Sequence, residues 1–147
     1  MMRNVALMCL ALVSVFLSTG CRDTPAEVIT NASVAAQKGD LVRLEECFSV
    51  ATIRRLERSW DLNLTSKSNG WTTLSKKLVF DSKALEQGTE TIVGEFAKVV
   101  VKTGAVDRDY YLRKEDGLWR IELGAGTQFR KVEAEAKATE EAAEKDD

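Results

Sequence analysis

The chain has no histidine, only 1 proline and only 3 cysteines among its 147 residues. Without histidine, the usual general base, the usual zinc ligand and every Ser–His or Cys–His catalytic arrangement are missing. Lysine plus arginine number 21 against 23 for aspartate plus glutamate, so the basic excess that nucleic-acid binding requires is also missing. These absences predict a protein with no metal ion or other cofactor, no nucleic-acid partner and no enzymatic activity.

A long hydrophobic run is missing as well. The apolar segment VALMCLALVSVF (5–16) has about a dozen residues, whereas a membrane-spanning helix needs roughly 20. Arg3 precedes this segment and small residues follow it, which is the pattern of a secretory signal peptide. We therefore assign residues 1–20 to a signal peptide and exclude them from the fold.

The segment LSTGCRD (17–23) resembles the lipobox of bacterial lipoproteins. This resemblance implies signal cleavage between Gly20 and Cys21 and attachment of lipid to the Cys21 thiol. Because Arg22 rather than aspartate follows the cysteine, it also implies that in a bacterium with two membranes the protein is sorted to the outer membrane, facing the periplasm. The family usually has leucine three residues before the cysteine, where this chain has Ser18. The alternative is an ordinary cleaved signal peptide in which the cysteine has no role.

The remaining chain divides into three parts. Residues 21–24 form a lipidated tether, residues 25–124 a folded domain, and residues 125–147 an acidic tail. The tail has almost no apolar face, so we expect it to be disordered or a solvated helix. With Cys21 lipidated, Cys47 is the only free thiol expected outside the signal peptide, and it is expected to be a buried small hydrophobic residue.

The first half of the domain carries the start signals of helices. Thr24, Pro25 and Glu27 form the pattern of a capping box with proline at the first helical position. Asp40 and Ser49 are expected to cap a second and a third helix, because apolar residues follow each of them at helical spacing.

The second half has the alternation of β-strands. RDYYLRKEDGLWRIEL (108–123) predicts a hairpin around Asp116 and Gly117, with Leu112 opposite Ile121.

Two more strands are expected before this hairpin. A four-residue loop at residues 104–107 is expected to place Val99 opposite Leu112 and Val101 opposite Tyr110. The sequence thus predicts an α+β fold, in which N-terminal helices pack on an antiparallel sheet of about four strands.

This order of elements resembles the nuclear-transport-factor-2-like (cystatin-like) superfamily, in particular its small bacterial lipoproteins. The resemblance is carried by PAEVITNASVAAQKGDL (25–41) and EDGLWRIEL (115–123), and it spans residues 25–124. It implies a curved sheet that wraps around the first helix as a cone, often with an apolar pocket at the open end. It also implies that the outer face of the sheet is a common site of dimerisation.

Two surfaces are candidate binding sites. Aromatic residues on the inner face and on the covering helices are candidates to line a pocket, although large aromatics at such positions are also ordinary core residues: Trp60, Trp71, Tyr110 and Trp119. On the outer face, three cations line up across three strands beside apolar residues, which favours contact with another protein: Phe96, Lys98, Val100, Tyr111, Arg113 and Arg120. The alternative for the outer face is a solvated surface.

The function predicted is that of a lipid-anchored cell-envelope protein that acts as a non-enzymatic binding or accessory module. Its expected partners are the membrane, through the anchor, and a second copy or an envelope protein, through the outer face. The alternative is a carrier or sensor of a small apolar ligand in the cone. The third possibility is an immunity lipoprotein or an enzyme of the isomerase or dehydratase type. For such an enzyme, Asp107 or Asp109 beside Tyr110 would be the candidate catalytic groups.

Overall fold

The computed structural model describes residues 23–144. The predicted signal peptide and the predicted lipid-attachment residue, Cys21, lie outside these residues. Five helices come first, four strands follow, and one helix ends the described chain: α1 (Pro25–Lys38), α2 (Leu41–Glu46), α3 (Val50–Leu62), α4 (Lys67–Ser75), α5 (Ser82–Glu86), β1 (Thr89–Val93), β2 (Phe96–Lys102), β3 (Asp107–Glu115), β4 (Leu118–Ile121) and α6 (Gly126–Ala143). The strands form one open antiparallel sheet in the order β1-β2-β3-β4, which confirms the predicted α+β class.

The residues predicted to start the first three helices form the expected capping hydrogen bonds. The Thr24 hydroxyl accepts from the Glu27 backbone amide at 3.2 Å, and the Glu27 carboxylate accepts from the Thr24 amide at 2.6 Å. The Asp40 side chain caps α2 by accepting from the Arg43 amide, and the Ser49 side chain caps α3 by accepting from the Thr52 amide. Each cap satisfies a backbone amide that would otherwise have no partner in the first turn, so the helix boundaries follow from local chemistry.

The β3–β4 hairpin has the predicted register, whereas the β2–β3 hairpin does not. Leu112 lies opposite Ile121, as expected. However, Leu112 pairs on its other side with Ala97 rather than Val99, and Val99 pairs with Tyr110. The loop therefore lies at residues 103–106, one position earlier than predicted. Each β3 residue is therefore paired with the β2 residue two positions earlier than predicted. Because side chains alternate between the two faces of a strand, a register shift of two residues leaves every side chain on its predicted face.

The inner face of the sheet, which carries Ala97, Val99, Val101, Leu112 and Ile121, packs against the helices. These five side chains are at most 4% exposed. Helix α1 contacts β1, β2 and β4, so it lies against strands from both edges of the sheet. The core is completed by apolar residues of the helices and of the connections between them: Val28, Ile29, Ala32, Ala35, Leu44, Phe48, Trp71, Leu78 and Phe80.

The outer face of the sheet, which carries Phe96, Lys98, Tyr111 and Arg113, lies partly under α6. The Phe129 side chain of α6 is only 2% exposed, and its ring centroid lies 5.6 Å from that of Tyr111. The tail was predicted to be disordered or a solvated helix. In the first turns of α6, this aromatic side chain packs on the sheet, whereas the described residues beyond position 136 are exposed.

Candidate functional site

The four aromatic residues predicted to line a pocket are dispersed through the core. Trp60 and Trp71 meet edge to face with their ring centroids 5.4 Å apart, and Tyr110 packs instead on Phe80 at 5.6 Å. Trp119 is 9% exposed and lies beneath the Lys114 ammonium group. Trp60 and Trp119 line separate surface cavities of about 200 and 130 Å³. The structure therefore does not bring these four side chains into a common pocket.

The acid–tyrosine pair considered for catalysis is not assembled. Asp109 lies on the outer face, where its carboxylate is 3.0 Å from the Lys98 ammonium group, and Asp107 pairs with Lys102 at 2.6 Å. Tyr110 points to the inner face, where burial raises the pKa of its hydroxyl. Neither carboxylate therefore faces the tyrosine hydroxyl as a catalytic partner.

The residues of the predicted outer-face interface have partners within the same chain. The Arg113 guanidinium lies 5.9 Å from the Phe96 ring centroid, and both residues line a cavity together with α6. Tyr111 contacts α6, and Lys98 pairs with an aspartate of β3. Val100 is half-buried. An outer-face partner would therefore have to use the area that α6 leaves uncovered, or displace the helix.

Arg120 differs from the other five predicted interface residues in its location and its contacts. It lies on the edge strand β4, and its guanidinium donates to the backbone carbonyl of Glu46, at the end of α2. This contact forms because the α2–α3 connection runs beside β4. The Ile121 amide donates to the Cys47 carbonyl at 2.7 Å, and the Ser49 amide donates to the Ile121 carbonyl at 2.9 Å. The connection thus joins the edge of the sheet to the end of α2 and the start of α3.

This arrangement creates a groove of about 470 Å³ between α2, the start of α3 and the β3–β4 turn. We call it the β4 groove, and its lining is Val42, Glu45, Glu46, Phe48, Val50, Ile53, Glu115, Asp116, Leu118 and Arg120. Its position is locked by a buried Thr52 hydroxyl, which accepts from the Leu123 amide at 3.0 Å and from the Ser49 hydroxyl at 2.9 Å. The groove is therefore built from secondary structure held by buried hydrogen bonds, not from a free loop.

The apolar lining of the β4 groove is unusually exposed. Val42 is 72% exposed, Val50 53% and Leu118 44%, while Phe48 and Ile53 form the more buried floor. Single exposed apolar side chains are common on protein surfaces, but several around one concavity are typical of a binding surface. Three such side chains from three different elements converge here.

The charged lining of the groove is mainly acidic. Four carboxylates line it, from Glu45, Glu46, Glu115 and Asp116, against one guanidinium from Arg120. The Glu45 carboxylate is 2.9 Å from the ammonium group of a lysine outside the groove, and the Glu115 carboxylate accepts from the Val50 amide at 3.3 Å. The groove therefore combines an apolar floor with a negative rim.

A second cavity, of about 270 Å³, shares Glu46 and Arg120 with the groove. Asp23 and Cys47 are among its lining residues, and the Asp23 carboxylate accepts from the Asn31 amide group at 3.0 Å. Burial raises the pKa of Cys47 to about 11, so the thiol is protonated at neutral pH and is a poor nucleophile. The start of the described chain, at Asp23, thus lies beside the groove.

The sequence did not reveal the groove because its apolar residues have no pattern of their own. Val50 and Ile53 are among the apolar residues that follow Ser49 at helical spacing, yet the position of Val50 in the first turn of α3 leaves it at the surface. Leu118 alternates with buried strand residues, which is the pattern of an ordinary outward-facing position. The only available signal was the pair of helix caps, Asp40 and Ser49, each followed closely by an exposed valine.

Comparison of the chain with protein-family models, curated proteins and solved structures gives no match. Within residues 23–144, no group of three or more acidic, cysteine or histidine side chains has an arrangement suited to a metal ion. Among the helices described, none has the length and apolar character needed to span a bilayer.

Proposed function

We propose that this chain is a lipid-anchored protein of the cell envelope that acts as a non-enzymatic binding module, and that the β4 groove is its binding surface. The observation that carries the proposal is the convergence of three exposed apolar side chains, Val42, Val50 and Leu118, on one groove. Exposing them costs solvation free energy, at about 25 cal/mol per Å² of apolar surface, that a bound partner would recover.

The anchor in this proposal is the diacylglyceryl group on Cys21, which follows from the resemblance of residues 17–23 to a lipobox. Two or three acyl chains hold a protein firmly on a membrane, whereas one chain gives only reversible binding. Asp23 is two residues from the cysteine, and an extended chain covers at most roughly 3.6 Å per residue. Asp23, and with it the second cavity, would therefore lie within about 7 Å of the lipidated cysteine.

The resemblance to the nuclear-transport-factor-2-like superfamily is part of the same proposal. We infer that the sheet curves around α1, which is consistent with the contacts of that helix with β1, β2 and β4. The alternative function, a carrier of a small apolar ligand within the cone, has less support because Trp71 and Tyr110 are packed in the core. Native mass spectrometry of the purified chain tests this alternative, since a retained ligand would add mass.

Detergent phase partitioning tests the anchor. The full chain is expressed in a bacterium with two membranes, and the Cys21→Ala variant serves as the matched control. We expect the unmodified chain in the detergent phase and in the outer-membrane fraction, with no lipid on the variant. A mature chain that carries no diacylglyceryl mass at Cys21 would contradict the anchor.

Site-specific photocrosslinking tests the groove. A photoreactive residue at Val42, which is 72% exposed, is compared with the same residue at Val106, which is 69% exposed and lies in the β2–β3 loop. We expect a discrete adduct from position 42 that is lost when Val50→Asp is added. An adduct that forms equally from both positions would contradict the proposal.

A further inference from the structure

The charges around the β4 groove restrict the chemistry of the partner, provided that the groove is the binding surface. Two carboxylates of the rim, those of Glu46 and Asp116, have no cation within 4.0 Å among the described residues. Within residues 23–144, the Glu115 carboxylate also has no ion pair, and it accepts a hydrogen bond from the Val50 amide. A partner that closes the groove would have to remove water from these groups, which is unfavourable unless it supplies donors or positive charge.

The single cation of the groove does not neutralise this rim. The Arg120 guanidinium donates to the Glu46 backbone carbonyl, not to a carboxylate. Lys67 pairs with Glu45 and also with Glu57 at 2.8 Å, so its charge is shared with an acidic residue outside the groove. The field in the groove therefore remains negative.

This field disfavours several occupants. Anionic lipid headgroups and phosphate-bearing ligands would be repelled by the carboxylates of the rim. The end of α6, with Glu140, Glu141 and Glu144, has the same sign as the groove and is a poor intramolecular occupant. A second copy of the chain has exposed basic residues on several elements, among them Lys38, Arg54 and Lys76, but its net charge is −2, so its overall charge has the same sign as the groove.

We propose that the β4 groove binds a cationic, amphipathic segment of another protein, in which apolar side chains enter between Val42, Val50 and Leu118 while flanking lysines or arginines meet Glu46, Glu115 and Asp116. Such a segment would contact the apolar floor of the groove and its negative rim at the same time. The apolar contacts would supply the affinity, and the ion pairs would set the orientation and speed the association.

Selection from a peptide library displayed on phage tests the partner class. The target is the full chain purified in detergent. Parallel selections use the Val42→Asp/Val50→Asp variant and the matched control Val106→Asp/Val79→Asp, whose valines are 69% and 50% exposed and lie outside the groove. We expect peptides with apolar residues flanked by lysine or arginine from the unmodified and control chains, and their loss with the groove variant.

Each other outcome has a distinct meaning. Groove-dependent peptides without basic residues would overturn the cationic partner but leave the groove as the binding surface. Peptides that are insensitive to the groove variant would overturn both proposals. A dimer in light scattering that becomes monomeric in the groove variant alone would make a second copy the occupant, and would likewise overturn a cationic partner protein.

Neutralising the rim gives a second, quantitative test on a synthetic copy of a selected peptide. The Glu46→Gln/Asp116→Asn variant should bind about three- to tenfold more weakly at low salt, and the difference should shrink as ionic strength rises. The matched control, Glu140→Gln/Glu141→Gln on the exposed part of α6, should bind like the unmodified chain. Unchanged affinity in the rim variant would contradict the role of the carboxylates.

Discussion

The inner face of the sheet packs against helices that precede it in the chain, whereas the outer face is covered by one helix that follows it. On the inner face, Ala97, Leu112 and Ile121 are fully buried among residues from several helices. On the outer face, the cover depends mainly on one side chain, Phe129. Loss of a contact on the inner face should therefore destabilise the whole domain, and loss on the outer face should free only α6.

The largest effect is expected at the inner face. Leu112→Ala removes a side chain with no exposed area at the centre of the sheet. The lost apolar burial and the remaining cavity should lower the free energy of unfolding by about 2–5 kcal/mol. Guanidinium denaturation followed by tryptophan fluorescence measures this change. A loss below about 1 kcal/mol would show that the inner face does not form the main core.

A smaller and more local effect is expected from Phe129→Ala. Because α6 can detach while the inner face stays packed, the cost cannot exceed the free energy that docks this helix, and we expect about 1–3 kcal/mol. Hydrogen exchange should accelerate throughout Gly126–Ala143 and remain slow in β2 and β3. The control is Lys137→Ala on the exposed part of α6. Simultaneous loss of protection in the sheet would contradict the separation of the two faces.

Gly126→Ala should weaken the outer cover by steric conflict. A Cβ at this position would lie 2.8 Å from the Tyr111 ring, so the helix or the ring must move, at a cost of about 1–3 kcal/mol less any gain in helix propensity. In a Tyr111→Ala background the same change should cost nothing. This double-mutant cycle attributes the effect to the contact, and equal costs in both backgrounds would contradict it.

The smallest effect is expected from Lys98→Ala on the outer face, because an exposed ion pair contributes about 0–1 kcal/mol. The Asp109 carboxylate raises the pKa of Lys98 above its usual value of 10.5. The contribution is therefore present below pH 10.5 and decreases as pH rises above it. Unfolding measured at pH 7 and above pH 10.5 should differ less in the variant than in the unmodified chain. A variant that is equally destabilised at both pH values would contradict this ion pair.

Local chemistry made much of the fold predictable. The capping box of Thr24 and Glu27 and the turn at Asp116 and Gly117 are each encoded within a few neighbouring residues, and both are present. The predicted β2–β3 register was wrong because two positions of the loop are compatible with the same alternation of apolar residues. The choice between these two loop positions depends on contacts between particular side chains, such as the ion pair of Lys102 with Asp107, and the apolar alternation contains no information about such contacts.

The candidate groove could not be predicted for a different reason. It depends on the α2–α3 connection lying beside β4, and the hydrogen bonds of Ile121 to Cys47 and Ser49 join residues that are far apart in the sequence. The docking of α6 could not be predicted for the same reason, because Phe129 can pack on Tyr111 only after the sheet has formed. Local patterns identify elements, but such contacts depend on how the elements are placed.

The contact of α1 with both edges of the sheet also has a consequence for folding. Helix α1 ends roughly 80 residues before β4 begins, so the contact between them closes a loop that includes most of the domain, and such long-range contacts slow folding. During synthesis α1 leaves the ribosome well before β4 exists, and its apolar stripe has no sheet to cover it. The native core can therefore form only after nearly the entire domain has been synthesised, and the chain remains open to chaperones until then.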